Sequence, residues 1–343
     1  MMLAGLRSEV EELKALCERN DEILIFGHKD ADGDTLGCSL AFAEALRLRG
    51  KRVHVVIPPP LPEKYSWMPG FELVREEPPA GSAIQLVLFF DAGNMERSGS
   101  AVDLIPEQAT IVNVDHHTSN SRFGDVNIIE PSAAAVGEMC LDMLEQFGWE
   151  VTPTMATNLY TALMTDTGGF RHENTTARAL QSGARLAALG ADPSYIATKV
   201  YKSRPLTTLK LSGLSMASLR VELEGRLAWA KVTRSMLREA GAVMAEAEGI
   251  IDTLNSIEGL ELAIMFKEVG SRLTKISVRS RGEVDSAALC ARFGGGGHLR
   301  AAGAELPLPM DQATEAVLAV AREAVARTRP MEGAHASRRP QRI

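Results

Sequence analysis

The chain alternates short, nearly unbroken apolar runs with longer segments whose apolar residues recur at helical spacing. Residues 22–27 (EILIFG) form the first such run, and 53–57, 84–90 and 110–114 repeat it. A strand exposed on one face would alternate polar and apolar positions. Runs that are apolar throughout are buried on both faces, as in a parallel sheet with helices on each side. Segments 36–49 (followed by Gly50), 133–147, 154–165, 175–189 and 205–219 are expected as helices. The pattern predicts an α/β unit: a parallel sheet with helices on both faces.

After about residue 220 the texture changes. Segments 227–232, 260–266 and 272–278 are expected strands of a smaller α+β unit across a cleft from the first, closed by a helix over 310–327. The expected division is a first domain over 1–205, a helical linker over 206–225, a second domain over 226–328 and a flexible tail over 329–343. A length of 343 residues suits two domains. Lys plus Arg number 37 against 44 for Asp plus Glu, a formal charge of −7. Phosphate neutralisation supplies most of the affinity of a binder of long nucleic acid, so this balance argues against long duplexes and leaves nucleotides open. The four cysteines make no C-x-x-C pair and suit neither a zinc knuckle nor a disulfide framework. The N-terminus lacks the layout of a signal peptide and no apolar run is long enough for a bilayer, so the expected location is cytoplasmic, with no membrane partner.

The chemistry gathers at strand ends. His28, Asp91 and Asp115 each lie just past the C-terminal end of an expected strand, the edge at which open α/β sheets bind ligands. In HKDADGD (28–34), a tight turn can present His28, Asp32 and Asp34 together; carboxylates suit hard divalent cations, and imidazole shifts the preference toward transition metals. An acidic helix N-terminus explains the same acids. Asp91, before Ala92-Gly93, reads by itself as a turn residue. In Asp115-His116-His117, adjacent histidines on extended backbone face opposite ways; one then suits a metal and the other a substrate, with Asp115 orienting. Asp166 ends an expected helix, where a negative charge opposes the macrodipole, so a structural role is unattractive. In GGGGHLRAAG (294–303), the backbone of Gly295, Gly296 and Gly297 can cradle an anion, with His298 and Arg300 adding donors. Arg279 and Arg281, at the end of the preceding strand, would add phosphate contacts.

In order, H-x-x-x-D-x-D, a strand-end Asp, N-x-D-H-H, T-D-T-G and G-G-G-G-H-x-x-A-A-G resemble the DHH/DHHA1 phosphoesterase superfamily over residues 20–305, most of all its nanoRNase/pAp phosphatase (NrnA-type) branch. The resemblance implies a DHH catalytic domain and a DHHA1 substrate-binding domain. It implies His28, Asp32 and Asp91 as ligands of one metal ion, and Asp34, Asp91, His116 and Asp166 as ligands of a second, with Asp91 bridging. His117 corresponds to a substrate-facing catalytic histidine and Asp115 to its orienting carboxylate; Arg279, the glycine run, His298 and Arg300 correspond to nucleotide-binding positions. The implied reaction is hydrolysis of short oligoribonucleotides or linear or cyclic dinucleotides to 5′-mononucleotides, and of pAp to AMP, through a bridging water activated by two divalent ions, Mn²⁺ by preference. Ala31 and Cys38 stand where many members have Pro and Ser, and neither removes a ligand. The expected partner is a short RNA or nucleotide substrate, with a homodimer left open. A family II-like pyrophosphatase, a RecJ-like single-strand exonuclease and a catalytically idle nucleotide sensor are the alternatives.

Overall fold

The computed structural model describes residues 2–329, apart from residues 30, 79, 80 and 82 and the side chains of Arg97, Ser100, Ala101 and His298. The tail expected over 329–343 lies, beyond Arg329, outside the described residues. The chain divides into two compact units, Met1–Ser203 and Arg204 onward.

The first unit is built on strands β1 (Glu22–Phe26), β2 (Arg52–Val56), β3 (Val74–Arg75), β4 (Leu86–Phe90), β5 (Thr110–Asp115) and β6 (Val126–Ile129). They form one parallel sheet in the order β3-β2-β1-β4-β5-β6. The chain steps outward from β1 to β3, then returns to build β4 to β6 on the other side of β1. In such a doubly wound sheet the ligand crevice opens where the order reverses, here between the C-terminal ends of β1 and β4.

Helices α1 (Arg7–Arg19), α2 (Gly33–Arg47), α3 (Val136–Phe147), α4 (Pro153–Asp166), α5 (Ala177–Ala188) and α6 (Pro193–Ala197) pack in one core with Ile23, Ile25, Leu86, Leu88 and Phe90. The alternate residues Leu24, Phe26, Val87 and Phe89 fill the other face, closed by Val102 of the 3-10 stretch Met95–Leu104, Ile105 and Phe123. Helix α1 was not among the expected elements. Its buried stripe of Val10, Leu13, Leu16 and Cys17 is interrupted in sequence by Glu11, Glu12 and Lys14 and flanked by Glu9 and Glu18. Helix α2 begins three residues before its expected start because Asp32 caps it.

Two glycines let the helices approach closely. A Cβ at Gly37 of α2 would press on the Asn158 carbonyl oxygen and lie 2.9 Å from Ala162 Cβ; at Gly137 of α3 it would lie 2.6 Å from the same Ala162 Cβ. Helices α2 and α3 therefore both lie against α4 near its C-terminal half, which carries Asp34 toward Asp166.

The second unit contains α7 (Leu206–Ala217), β7 (Arg220–Glu222), β8 (Leu227–Val232), α8 (Arg234–Ala240), α9 (Ile250–Asn255), β9 (Leu262–Gly270), β10 (Leu273–Ser280), α10 (Ser286–Ala291), β11 (Gly296–His298), β12 (Ala301–Leu306) and α11 (Met310–Ala326). The sheet order is β11-β12-β10-β9-β8-β7, parallel at β8–β9 and antiparallel elsewhere. Leu262, Ile264, Phe266, Ile276 and Val278 pack with α10 and α11 on one face; Ala228, Ala230, Ala263 and Met265 pack with α7 and α9 on the other. The stretch read as a helical linker supplies α7 and β7 to this unit.

The glycine run read as a loop is partly a strand. Gly296, Gly297 and His298 pair with Gly303, Ala302 and Ala301. A Cβ at Gly297, whose φ is 143°, would lie 2.6 Å from Ala302 Cα, so the hairpin itself needs glycine there. Glycine is depleted in strands, which hides such a hairpin from propensity reasoning. Helix α10, between Arg281 and the run, was also not expected. Among the described residues no helix is long and apolar enough to cross a membrane.

The close approach at Gly37 can be tested by thermal unfolding. Alanine is the better helix former by about 1 kcal/mol, yet Gly37→Ala is expected to lower stability by roughly 1–3 kcal/mol through overpacking against α4. An unchanged or raised Tm would contradict the packing described.

Candidate metal centre

The backbone fixes which ring nitrogen His28 and His116 turn to the crevice. His28 Nδ1 lies 2.6 Å from the Lys29 carbonyl oxygen, which can only accept, so Nδ1 donates to it and Nε2 is left facing Asp91 Oδ2 at 3.4 Å. His116 repeats the arrangement: Nδ1 donates to the Ala133 carbonyl at 3.0 Å, and Nε2 lies 3.8 Å from Asp91 Oδ1 and 3.5 Å from Asp166 Oδ2. His117 is held differently, with Nδ1 2.7 Å from Asp115 Oδ1. Asp115 is fully buried, and its other oxygen accepts from Asn120 Nδ2 at 2.6 Å.

The acids are anchored as firmly. Asp32 Oδ1 accepts from the backbone N–H groups of Asp34 and Thr35 at 2.9 and 3.1 Å, so the helix-cap reading of this acid holds, and one carboxylate can cap with one oxygen and ligate with the other. Asp34 is pinned at the start of α3, accepting from Val136 N at 2.7 Å, Gly137 N at 2.9 Å and Cys38 Sγ at 3.3 Å. Asp91 follows β4 on left-handed backbone with φ 61°, and Thr35 Oγ1 donates to its Oδ2 at 2.8 Å. Asp166 is the last residue of α4; its carbonyl accepts from Asn174 Nδ2 at 3.2 Å.

The histidine pair differs from expectation. The chain has left the strand at Asp115, so the rings do not face opposite ways. Their centroids are 5.1 Å apart at 77°, and both reach Asp91 Oδ1, at 3.8 and 3.6 Å.

His28, Asp32 and Asp91 form one group able to hold a metal ion, Asp34, His116 and Asp166 a second, and Asp91, His116 and His117 a third. Mixed carboxylate and imidazole donors with outward-anchored rings fit a first-row divalent ion. The electrostatics agree. Burial, then the charges of Asp91 and Asp166, raise the Asp34 carboxyl far above its ordinary range. Burial pushes Asp166 up to about 7 against the pull of His116. Burial would lower His116, but Asp166, Asp34 and Asp91 outweigh it and push the imidazole up to about 9. Burial acts upward on Asp91 too, yet the hydrogen bond from His28 and the charges of His28, His116 and His117 hold it below the usual carboxylate range. Without a cation, this cluster retains protons in its place.

Sequence reasoning did not find Thr35, Asn120 or Asn174. Each acts by touching a residue distant in the chain or by orienting another group, and no local motif marks it. In the second unit, Arg279 N–H groups reach Asp252 Oδ1 at 3.4 Å and the Val278 carbonyl at 3.2 Å. Arg300, in the turn after β11, donates to the Val284 carbonyl at 3.3 Å, and its own carbonyl accepts from Ser280 N at 3.0 Å, so Arg279, Ser280 and Arg300 meet at one end of the sheet. Arg281 is exposed just beyond β10, its N–H donating to the Glu261 carbonyl at 2.8 Å. Gly295, Gly296 and Gly297 lie in or beside the hairpin; the side chain of His298 is outside the described residues.

Imidazoles and carboxylates converging at the switch point of a doubly wound sheet make the centre of a metal-dependent hydrolase. The family model described as DHH family, N-terminal domain, matches residues 22–165, and that of the DHHA1 domain matches 226–327. Over 330 residues the chain is 33% identical to the bifunctional oligoribonuclease and PAP phosphatase NrnA of Thermus thermophilus, covering 94% of this chain and 95% of that one. The NrnA of Bacillus subtilis is 26% identical over 289 residues, 83% of this chain and 90% of the relative. The crystal structure of an exopolyphosphatase-related protein from Bacteroides fragilis shares the fold, with a TM-score of 0.85 at 24% identity over 93% of this chain and 96% of that one. The chain belongs to the DHH/DHHA1 superfamily of hydrolases, in its NrnA-type branch.

The retained protons give a pH dependence. A group that holds its proton more tightly when folded stabilises below its unfolded pKa and loses that contribution as pH rises through its folded value. Asp166 loses it from about 4 to about 7, and His116 from 6.5 to about 9. These two groups are therefore expected to lower the Tm of metal-free protein progressively between about pH 4 and 9. A divalent ion that binds this cluster must displace these protons, so its affinity should tighten over the same range. Titration calorimetry in buffers of different ionisation enthalpy reads that release directly; its absence at pH 7 would contradict the assignment.

Proposed function

We propose that the protein is a phosphoesterase that hydrolyses short oligoribonucleotides or linear or cyclic dinucleotides to 5′-mononucleotides, and pAp to AMP, with two divalent ions, Mn²⁺ by preference. The observation that carries this reading is the placement of Asp91: one carboxylate oxygen faces His28 at 3.4 Å and the other faces His116 at 3.8 Å. A carboxylate shared between two ligand sets suits a pair of ions and not a single one. His28, Asp32 and Asp91 would hold one ion, and Asp34, Asp91, His116 and Asp166 the other. When bound, such a pair supplies Lewis acidity on both sides of an in-line displacement at phosphorus.

The chain's own groups then orient the reaction. Asp115 and Asn120 fix the ring of His117 in the crevice, where it hydrogen-bonds the phosphate oxygens on which charge accumulates. The region 1–205 serves as the catalytic domain and 226–328 as the domain that holds the rest of the substrate, through Arg279, Arg281, Gly295, Gly296, Gly297, His298 and Arg300. Positioning of this kind contributes several kcal/mol, on the order of effective-molarity estimates. The names of the relatives support an oligonucleotide and pAp substrate range.

A purified-protein panel with Mn²⁺ tests the proposal: pAp, pApA, pGpG, cyclic dinucleotides, RNAs of a few nucleotides, pyrophosphate and long single-stranded DNA. Turnover is expected on the small nucleotide substrates. It should be abolished in Asp91→Ala and His116→Ala, while Arg300→Ala mainly raises KM. Faster hydrolysis of pyrophosphate or robust digestion of long DNA would replace the proposal, and wild-type rates in Asp91→Ala would remove the metal assignment.

A further inference from the structure

The second unit buries a lysine that no ion pair holds among the described residues. Lys267 is only 8% exposed, at the end of the run Leu262–Phe266 that is buried throughout. Strand alternation places it on the same face as Ala263 and Met265. Directly opposite on β10 stands Lys275, with Ser277 opposite Met265 and Arg279 opposite Ala263. Like charges directly opposite each other destabilise a sheet. Lys275 reaches Glu305 at 3.6 Å and Arg279 reaches Asp252 at 3.4 Å. Among the described residues, Lys267 takes part in no ion pair or side-chain hydrogen bond. Burial, then Lys275, weaken the ammonium's hold on its proton, and Glu248 pulls the other way without forming an ion pair with it.

A buried charge without a partner is among the costlier features a core can carry, and an apolar residue of similar volume is commonly the more stable choice. The surface beside it has room for a counter-charge. Across β10 the next strand presents Gly303 opposite Ser277, and beyond it Gly296 opposite Gly303. A Cβ built at Gly296 would meet nothing within 4 Å. The result is a strip of sheet without side chains, bordered by Lys267, Lys275, Ser277 and Arg279. The Lys267 nitrogen is not among the sealed, unpartnered polar atoms of the described residues, so its tip keeps contact with solvent on the face that carries this strip.

We propose that Lys267 holds a phosphate of the substrate other than the one being cleaved, with the nucleotide lying on the bare strip. The proposal rests on the phosphoesterase reading and adds a residue to it: a compact ammonium recognises a phosphate as a point charge, with Lys275 and the Ser277 hydroxyl beside it.

The test separates this role from a structural one. A phosphorothioate-linked diadenylate, with and without a 5′-phosphate, is titrated into Mn²⁺-loaded full-length protein. The wild type should bind the 5′-phosphorylated form at least about tenfold more tightly, and Lys267→Met should lose that preference while gaining Tm. Lys275→Ala, an exposed change on the neighbouring strand, should reduce the preference in a fold that no loss of Lys267 has disturbed. A 5′-phosphate preference equal in wild type and Lys267→Met would overturn the proposal, as would its absence in the wild type. If the wild type shows the preference yet cleaves none of the corresponding phosphodiesters, the Lys267 site stands and the hydrolytic reading falls.

Discussion

The Asp91 carboxylate is buried among the rings of His28, His116 and His117, accepts a hydrogen bond from Thr35, and rides on left-handed backbone with φ 61°. Asp tolerates that conformation better than most residues, though it still carries a cost of order 1 kcal/mol. The strand that ends here is fully buried, and the backbone turn is what aims the carboxylate back between β1 and β5. Move this group and the donors around His28 and those around His116 no longer meet at one carboxylate. The hydrogen bonds of His28, His116 and Asp34 to Lys29, Ala133, Val136 and Gly137 all serve to keep other donors directed at the same point.

That point is also where the sheet topology leaves a crevice. With strand order β3-β2-β1-β4-β5-β6, the loops after β1 and β4 part in opposite directions and cannot fill the space between them. Helix α4 brings Asp166 to its rim, and the small contacts at Gly37 and Gly137 set how near α2, α3 and α4 can come. Gathering acids this closely opposes folding at neutral pH unless protons or a cation compensate. The raised pKa values of Asp34, Asp166 and His116 record that conflict, a stability cost located where the chemistry is.

Much of this was legible in the sequence. The apolar runs marked the four central strands because full burial leaves no polar alternation, and strand-end His28, Asp91 and Asp115 marked the crevice. Less legible was whatever depends on a partner distant in the chain. Asn120 and Asn174 look like ordinary loop residues until Asp115 and the Asp166 carbonyl are placed beside them. Helix α1 was hidden by its charged exposed face, and β11 by its glycines. The opposite-facing histidines failed as an inference because it assumed that the strand continued past Asp115. Lys267 carried no motif at all; only its burial opposite Lys275 distinguishes it from any other lysine.

The glycine run now has two explanations that do not compete. Gly297 is needed where the hairpin backbone closes on Ala302, while Gly296 leaves open space over the sheet. The central claim, however, is that one carboxylate serves two ions, and it has a direct spectroscopic signature. Electron paramagnetic resonance of protein loaded with two equivalents of Mn²⁺ should show the signal of an exchange-coupled pair, absent from Asp91→Ala. A spectrum of independent Mn²⁺ ions at full loading of the wild type would contradict the account.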